Sequence, residues 1–304
     1  MTSWAVDIGG TKIAAARVLD DGAIDGEPIV VRTPGSDGPG AVLAQVVQVL
    51  GQLNPMGVEQ IGISSAGVIN STSGTVVAST ESIPGWTGTD LAAQVGQACG
   101  LPATALGDGH AFAIGEAVYG KAASHGSALI LAVGTGVGGS YVRDGVPLQG
   151  SHWAAGHFGH VPVPQATGLP CYCGRTGHLE AIGSGAGMLR WYHQQGGAPA
   201  VTSAKTLVER AAHDPVAAAA VSLSAEAVGG AAAGLANAFD PDVVVVAGGV
   251  SQAGPRWERP MRSAFAATLI PALDQMTLVI SDAGDWLALK GAAHFAQRRR
   301  GGSR

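Results

Sequence analysis

The chain has 304 residues, of which 46% are hydrophobic and 13% charged, with a formal net charge of −5. That length and apolar content are ample for two ordinary cores, while so few cations exclude a broad face for the phosphates of a nucleic acid. The 47 glycines gather at the ends of apolar runs without forming a repeat, so they mark turns and places of close backbone approach.

In chain order, residues 4–8 and 12–18 read as two strands joined at Gly9-Gly10, with Asp20-Asp21-Gly22 as the next turn. Val42, Val46, Val49 and Leu53 recur at helical spacing and place a helix after the Pro/Gly-rich stretch 34–40. Residues 60–64 form a buried strand. Thr89-Asp90 is placed to cap a helix running to Cys99, and 103–106 follow as a strand ending at Gly107-Asp108. A second lobe opens near Gly120, because 128–133 is again an apolar run stopped by glycines, followed by strand 140–143 and the turn Asp144-Gly145. Small residues with Val221, Val228 and Leu235 mark a long helix over 215–239, after which strand 242–247 runs into Gly248-Gly249. Residues 286–297 read as a helix returning to the first lobe. The expected division is an N-terminal lobe, 1–117 with 289–304, and a C-terminal lobe, 118–288, in an α/β protein.

The basic run Arg298 to Arg300, before Gly301 and Gly302, reads as a frayed, solvated tail. No apolar stretch approaches the ~20 residues that span a bilayer, and the first residues lack a charged segment followed by an apolar one, so a cytoplasmic protein with no membrane or nucleic-acid partner is expected. Three cysteines, two of them spaced as Cys171-x-Cys173, fit a reducing compartment and a metal site better than a disulfide framework. Cys99 reads as a small buried apolar residue.

Asp7-Ile8-Gly9-Gly10-Thr11-Lys12 sets a carboxylate at a strand end, then two glycines whose backbone N–H groups can approach phosphate oxygens, then a hydroxyl and a cation. Asp7 could hold Mg²⁺ for a bound ATP; the alternative is a plain hairpin turn. A second loop, Gly134-Thr135-Gly136-Val137-Gly138-Gly139, formally matches a dinucleotide fingerprint. Two observations oppose that match: residues 140–143 continue as strand instead of helix, and no acidic residue stands between Asp144 and Glu180 to take a ribose hydroxyl. Both loops are therefore strand–turn–strand clamps, one per lobe, suited to opposite sides of a triphosphate. Gly248-Gly249 supplies a third close approach, for the nucleoside. His160, Cys171, Cys173 and His178 lie within nineteen residues, and four protein ligands of these types describe a closed structural Zn²⁺ site.

Asp7-Ile-Gly-Gly-Thr-Lys12, Gly134-Thr-Gly-Val-Gly-Gly139, Ala155-Gly-His-Phe-Gly-His160, Cys171-Tyr-Cys-Gly-Arg-Thr-Gly-His-Leu-Glu180 and Asp240-Pro-Asp-Val with Gly248-Gly249, in that order, resemble the ROK family of bacterial sugar kinases, repressors and related proteins. The resemblance implies a two-lobed actin-like ATPase (ribonuclease H-like) fold with a cleft between lobes, dependence on ATP and Mg²⁺, a structural Zn²⁺ and a homodimer. It makes Asp108, at the end of a first-lobe strand, the catalytic base; the alternative is that Asp108 caps the helix beginning near Ala111. Gly67 and the segment beginning at Ser82 would line the sugar cleft, with His160 and Glu180 reading sugar hydroxyls. Three positions depart from the family pattern: Gly107 replaces an asparagine before the base, Ser82 an asparagine, and His157 a glutamate. His178 stands where the family has its last zinc cysteine, and a histidine can still ligate the metal. Imidazole at His157 is similar to bacterial N-acetylmannosamine kinases within the family, so phosphorylation of the 6-hydroxyl of that sugar is expected. A hexokinase such as a glucokinase is the nearest alternative, and a non-catalytic sugar-binding or regulatory protein is the alternative of another class. A sugar-sensing repressor would need a DNA-binding segment ahead of the first glycine clamp.

Overall fold

The computed structural model describes residues 2–80, 82–282 and 286–301. The chain separates into two units, one of Met1–Ala123, Asp144–Ala155 and Asp285–Arg304, the other of Ser124–Arg143 and Gly156–Gly284.

In the first unit, β1 (Thr2–Ile8), β2 (Lys12–Val18), β3 (Ile24–Arg32), α1 (Pro39–Leu50), β4 (Val58–Ser65), β5 (Val68–Asn70), β6 (Thr75–Ala78), α2 (Leu91–Cys99), β7 (Ala103–Gly107) and α3 (Asp108–Tyr119) follow one another. Five strands form one sheet in the order β3-β2-β1-β4-β7. The hairpins β1–β2 and β2–β3 are antiparallel, whereas β1, β4 and β7 run parallel, so the last three end along one edge. Alternation in β1 sends Trp4, Val6 and Ile8 to one face, where they bury with Val42, Val46 and Val49 of α1. Ala5, together with Ala14 and Ala16 of β2, faces the other way, against Leu289 and Ala293 of α9 (Leu287–Gly301). Each fully buried valine, leucine or isoleucine of these layers contributes roughly 1.5–3 kcal/mol.

Small residues bring α9 unusually close. A Cβ on Gly291 would lie 1.8 Å from the Ala111 carbonyl oxygen in α3, one on Gly115 of α3 would lie 2.1 Å from that of Leu287, and one on Gly62 of β4 would lie 2.2 Å from that of Ala292. Three glycines thus let helix meet helix, and helix meet strand, backbone to backbone. The arginine run is helical and not frayed: Arg298 donates to the Asp144 carbonyl and Arg299 to that of Ser71. Gly302 lies outside the described residues. Segment 144–155 of this unit carries the two-residue strand β10 (Val146–Pro147).

The second unit contains β8 (Ser127–Val133), β9 (Val137–Arg143), α4 (Glu180–Gly183), α5 (Gly185–Gln194), α6 (Ala204–Arg210), α7 (Pro215–Phe239), β11 (Val243–Ala247), α8 (Pro255–Thr268) and β12 (Leu278–Ile280). Its strands lie in the order β9-β8-β11-β12, with β8–β9 antiparallel and β8, β11 and β12 parallel. β11 is Val-Val-Val-Val-Ala and buried throughout, the composition of a central parallel strand covered on both faces. Helix α7 is long and apolar enough, by length and composition alone, to cross a membrane, contrary to the expectation that no such stretch exists. Alanines interspersed with single valines hid it. More than half of that window is buried inside the unit, where Ala220, Val221, Val228 and Ala232 join the core.

Candidate functional site

The first unit's constellation stands at the carboxyl ends of its parallel strands, where α/β sheets commonly place ligands. Register pairs Asp7 with Ser64 and Ser64 with Leu106, so Asp108 follows two residues beyond a position level with Asp7. The Ser64 hydroxyl donates to Asp7 Oδ1 at 2.6 Å. Burial raises the Asp7 carboxyl above its usual range, against the lowering effects of that hydrogen bond and of Lys12. Asp108 keeps accessible surface, yet protein crowds around the rest of it. That crowding, followed by the charge of Asp7, pushes its carboxyl up to about 6. A carboxylate raised into that range by burial and by a neighbouring acidic group accepts protons near neutral pH.

Asp108 does not cap α3. The N-cap is Gly107, which has no side chain to offer, and Asp108 occupies the first helical turn with Oδ1 accepting the Gly109 N–H at 2.7 Å. Nor does Asp90 cap α2, since its side chain makes no cap hydrogen bond.

The first glycine turn closes with the Gly9 N–H donating to the Lys12 carbonyl at 3.0 Å. Thr11 and Lys12 are exposed. Gly10 lies against Ser82, where a Cβ would come within 2.9 Å of the serine Cβ. Gly67, at φ +104°, has no space for a side chain, because a Cβ would lie 2.7 Å from the Ala78 carbonyl oxygen. Gly107 abuts Gly67 in turn, its added Cβ falling 3.3 Å from the Gly67 oxygen. Asp7, Gly9, Gly10, Gly67, Ser82, Gly107 and Asp108 are therefore neighbours through short links within one unit. Ser64 belongs with them and carried no signal in the sequence. The same holds for His110, buried two residues past Asp108, whose Nε2 lies 2.7 Å from the Ala155 carbonyl oxygen.

In the second unit, Gly134, Thr135 and Gly136 connect β8 to β9, with Val133 paired to Val137. The loop is thus a strand–turn–strand clamp and not the strand–helix turn of a dinucleotide site. Gly138 lies within β9 itself. Gly248, at φ +94°, packs on the end of β8, where a Cβ would lie 2.5 Å from the Val133 carbonyl oxygen. The parallel pairing of β8 and β11 therefore sets both glycine loops side by side. Beside Gly249 lies a cavity of about 550 Å³, lined in part by Met188, Lys205, Val208 and Glu209, of a size that suits a small organic group.

The four candidate metal ligands converge. One ligand atom from each of His160, Cys171, Cys173 and His178 lies within 4.8 Å of every other. Cys171 Sγ is 3.6 Å from His160 Nδ1, and Cys173 Sγ is 3.2 Å from His178 Nδ1. Tetrahedral bonds of roughly 2.3 Å to sulfur and 2.0 Å to nitrogen predict about 3.5 Å for such a pair. The donor set fits zinc. Burial raises the Cys171 thiol, and burial first, then the neighbouring His157 and His178, holds His160 below its usual value against the opposing pull of Glu180. His157 stacks on His160 with centroids 6.2 Å apart and planes inclined by 14°. Glu180 follows two residues after His178, and its Oε2 accepts the Val137 N–H at 2.9 Å.

The ROK family model matches residues 3–299. The chain is 33% identical to an N-acetylmannosamine kinase of Citrobacter koseri over 98% of this chain and 99% of the relative. It is 28% identical to a glucokinase of Thermotoga maritima, over 98% of each. Among solved structures, a ROK hexokinase from Thermus thermophilus superposes with a TM-score of 0.86 at 28% identity, covering 99% of this chain and 100% of that one. A ROK-family glucokinase from Streptomyces griseus, in complex with glucose and AMPPNP, gives 0.81 at 29% identity, covering 98% and 100%.

Proposed function

The chain belongs to the ROK family as a sugar kinase with ATP as donor, and we propose that its acceptor is the 6-hydroxyl of N-acetylmannosamine. The observation that carries this reading is the imidazole of His157, stacked on His160 beside the zinc ligands. A glutamate there would offer a charged acceptor to a sugar hydroxyl. An imidazole offers one donor and one acceptor, which suits an acetamido group that has both. The 33% identity to the Citrobacter koseri enzyme supports the same substrate.

In the proposed reaction the sugar oxygen attacks the γ-phosphorus and forms the new O–P bond, while the bond from that phosphorus to the ADP oxygen breaks. The hydroxyl proton passes to Asp108. Asp7, with Ser64 orienting it, would hold Mg²⁺, which offsets phosphate charge when bound. The N–H groups of the turns at Gly9–Gly10 and Gly134–Gly136 take phosphate oxygens, and Gly248–Gly249 with the cavity beside them take the nucleoside. Gly67, Ser82 and Gly107 shape the sugar site, while His160 and Glu180 bind sugar hydroxyls. His160 turns Nδ1 to the metal side, leaving Nε2 for the sugar. His160, Cys171, Cys173 and His178 would hold the zinc, whose contribution is to fix the loop.

ADP release measured with a panel of hexoses and hexosamines tests the proposal, with the highest kcat/KM expected for N-acetylmannosamine. A higher value for glucose would replace it with the glucokinase reading, which the identity to the Thermotoga maritima enzyme favours.

A further inference from the structure

We propose that Glu180 is a positioning residue that links the sugar to the nucleotide, one carboxylate oxygen serving each. This rests on the reading of 134–139 as a phosphate loop and of Glu180 as a sugar-binding group. The Val137 N–H donates to Oε2 of Glu180 at 2.9 Å, across 43 residues of sequence. Gly136 is fitted to the same oxygen, since a Cβ there would lie 2.6 Å from it. Just downstream, the Gly185 N–H donates to the Gly134 carbonyl at 2.8 Å and the Ala186 N–H to that of Thr135 at 3.4 Å. The short segment from Glu180 into α5 thus supports the whole turn, with one acceptor beneath it and two donors.

An ionised carboxylate has two oxygens and accepts at both. With Oε2 on the loop, Oε1 remains for a sugar hydroxyl. A sugar bound there fixes the rotamer that also fixes Val137, so Glu180 is ordered once for both ligands, and each raises the affinity for the other. His178, the last of the four candidate metal ligands, lies only two residues upstream, so a zinc held there would also anchor the backbone from which Glu180 projects.

The test is calorimetric titration of Mg²⁺ and AMPPNP, a non-hydrolysable ATP analogue, into wild type, Glu180→Ala, Glu180→Gln and Gly136→Ala, with thermal unfolding as the folding control. Without sugar, Glu180→Ala is expected to raise the AMPPNP Kd about tenfold, as for loss of a hydrogen bond to a charged group. Glu180→Gln keeps an oxygen for the Val137 N–H and should stay within about twofold. Gly136→Ala, which crowds the same oxygen in an otherwise intact chain, should weaken AMPPNP alone, and should add little in the Glu180→Ala background. N-acetylmannosamine should tighten AMPPNP binding to wild type and not to Glu180→Ala. Equal AMPPNP affinity for wild type, Glu180→Ala and Gly136→Ala would overturn this inference alone. Failure of the wild type to bind AMPPNP would overturn the nucleotide reading and the inference with it.

Discussion

Replacing Asp108 with asparagine preserves the shape of the side chain and removes its capacity to accept a proton. If the carboxylate is the base, kcat should fall by about 10²–10⁴, the usual worth of a positioned base, while the Kd of MgATP stays within about twofold. The wild-type pH profile gives the same conclusion independently. A carboxyl raised to about 6 by its surroundings and by Asp7 is about 97% ionised at pH 7.5, half ionised at pH 6 and about one-tenth ionised at pH 5. Only the ionised form accepts the hydroxyl proton, so activity is lost as pH falls. Plotted as kcat/KM for the sugar, the acid limb should turn near pH 6, about two units above an ordinary aspartate. A coupled assay over pH 5–8, with coupling enzymes in excess at every point, measures it. An Asp108→Asn enzyme within tenfold of wild type, or a wild-type profile flat down to pH 5, would refute the assignment.

Gly291→Ala should destabilise the protein by about 2 kcal/mol in chemical denaturation, because the new methyl must displace the Ala111 carbonyl, and overpacking outweighs the gain in helix propensity. Purified protein should contain one zinc per chain by metal analysis; His178→Ala should lose it and unfold at a lower temperature, whereas His178→Cys should retain it, thiolate being an equally good zinc ligand. His157→Glu should raise kcat/KM for glucose relative to N-acetylmannosamine by tenfold or more, the effect of exchanging one hydrogen-bonding group in a polar pocket; an unchanged ratio would show that His157 does not read the sugar.

Strands β1, β2, β7, β8 and β11 and helices α1 and α7 were legible because each is an apolar run or a helical stripe bounded by glycine or proline. β3 was not, since Ile-Asp-Gly-Glu-Pro opens it with turn residues and it lies at a sheet edge, where polar positions remain solvated. In α8 Trp257, Met261 and Phe265 recur every four residues, but Pro260 stands inside the helix and masks the pattern. The site divides similarly. Glycine loops and the Cys/His set announce themselves, because few other residue types serve those purposes. Ser64 and the contact from Glu180 to Val137 do not, because a serine in a strand is ordinary and a hydrogen bond to a distant backbone amide leaves no trace in spacing. The expected cap at Thr89-Asp90 is not made, and neither is the alternative one at Asp108, for a related reason: residue type shows that capping is possible and not whether the side chain turns that way.

The backbone contact between α9 and α3 also constrains how the protein comes into being on the ribosome. α3 begins with Asp108, yet the helix that presses against it is separated from it by the entire second unit in translation order. A nascent chain that has already emerged through β7 and α3 still lacks the surface against which Gly115 closes. It must hold that face of the first sheet uncovered while the second unit is made, a long-range closure that slows folding and exposes apolar surface meanwhile. Maturation of the site around Asp108 is thereby deferred until α9 has been delivered.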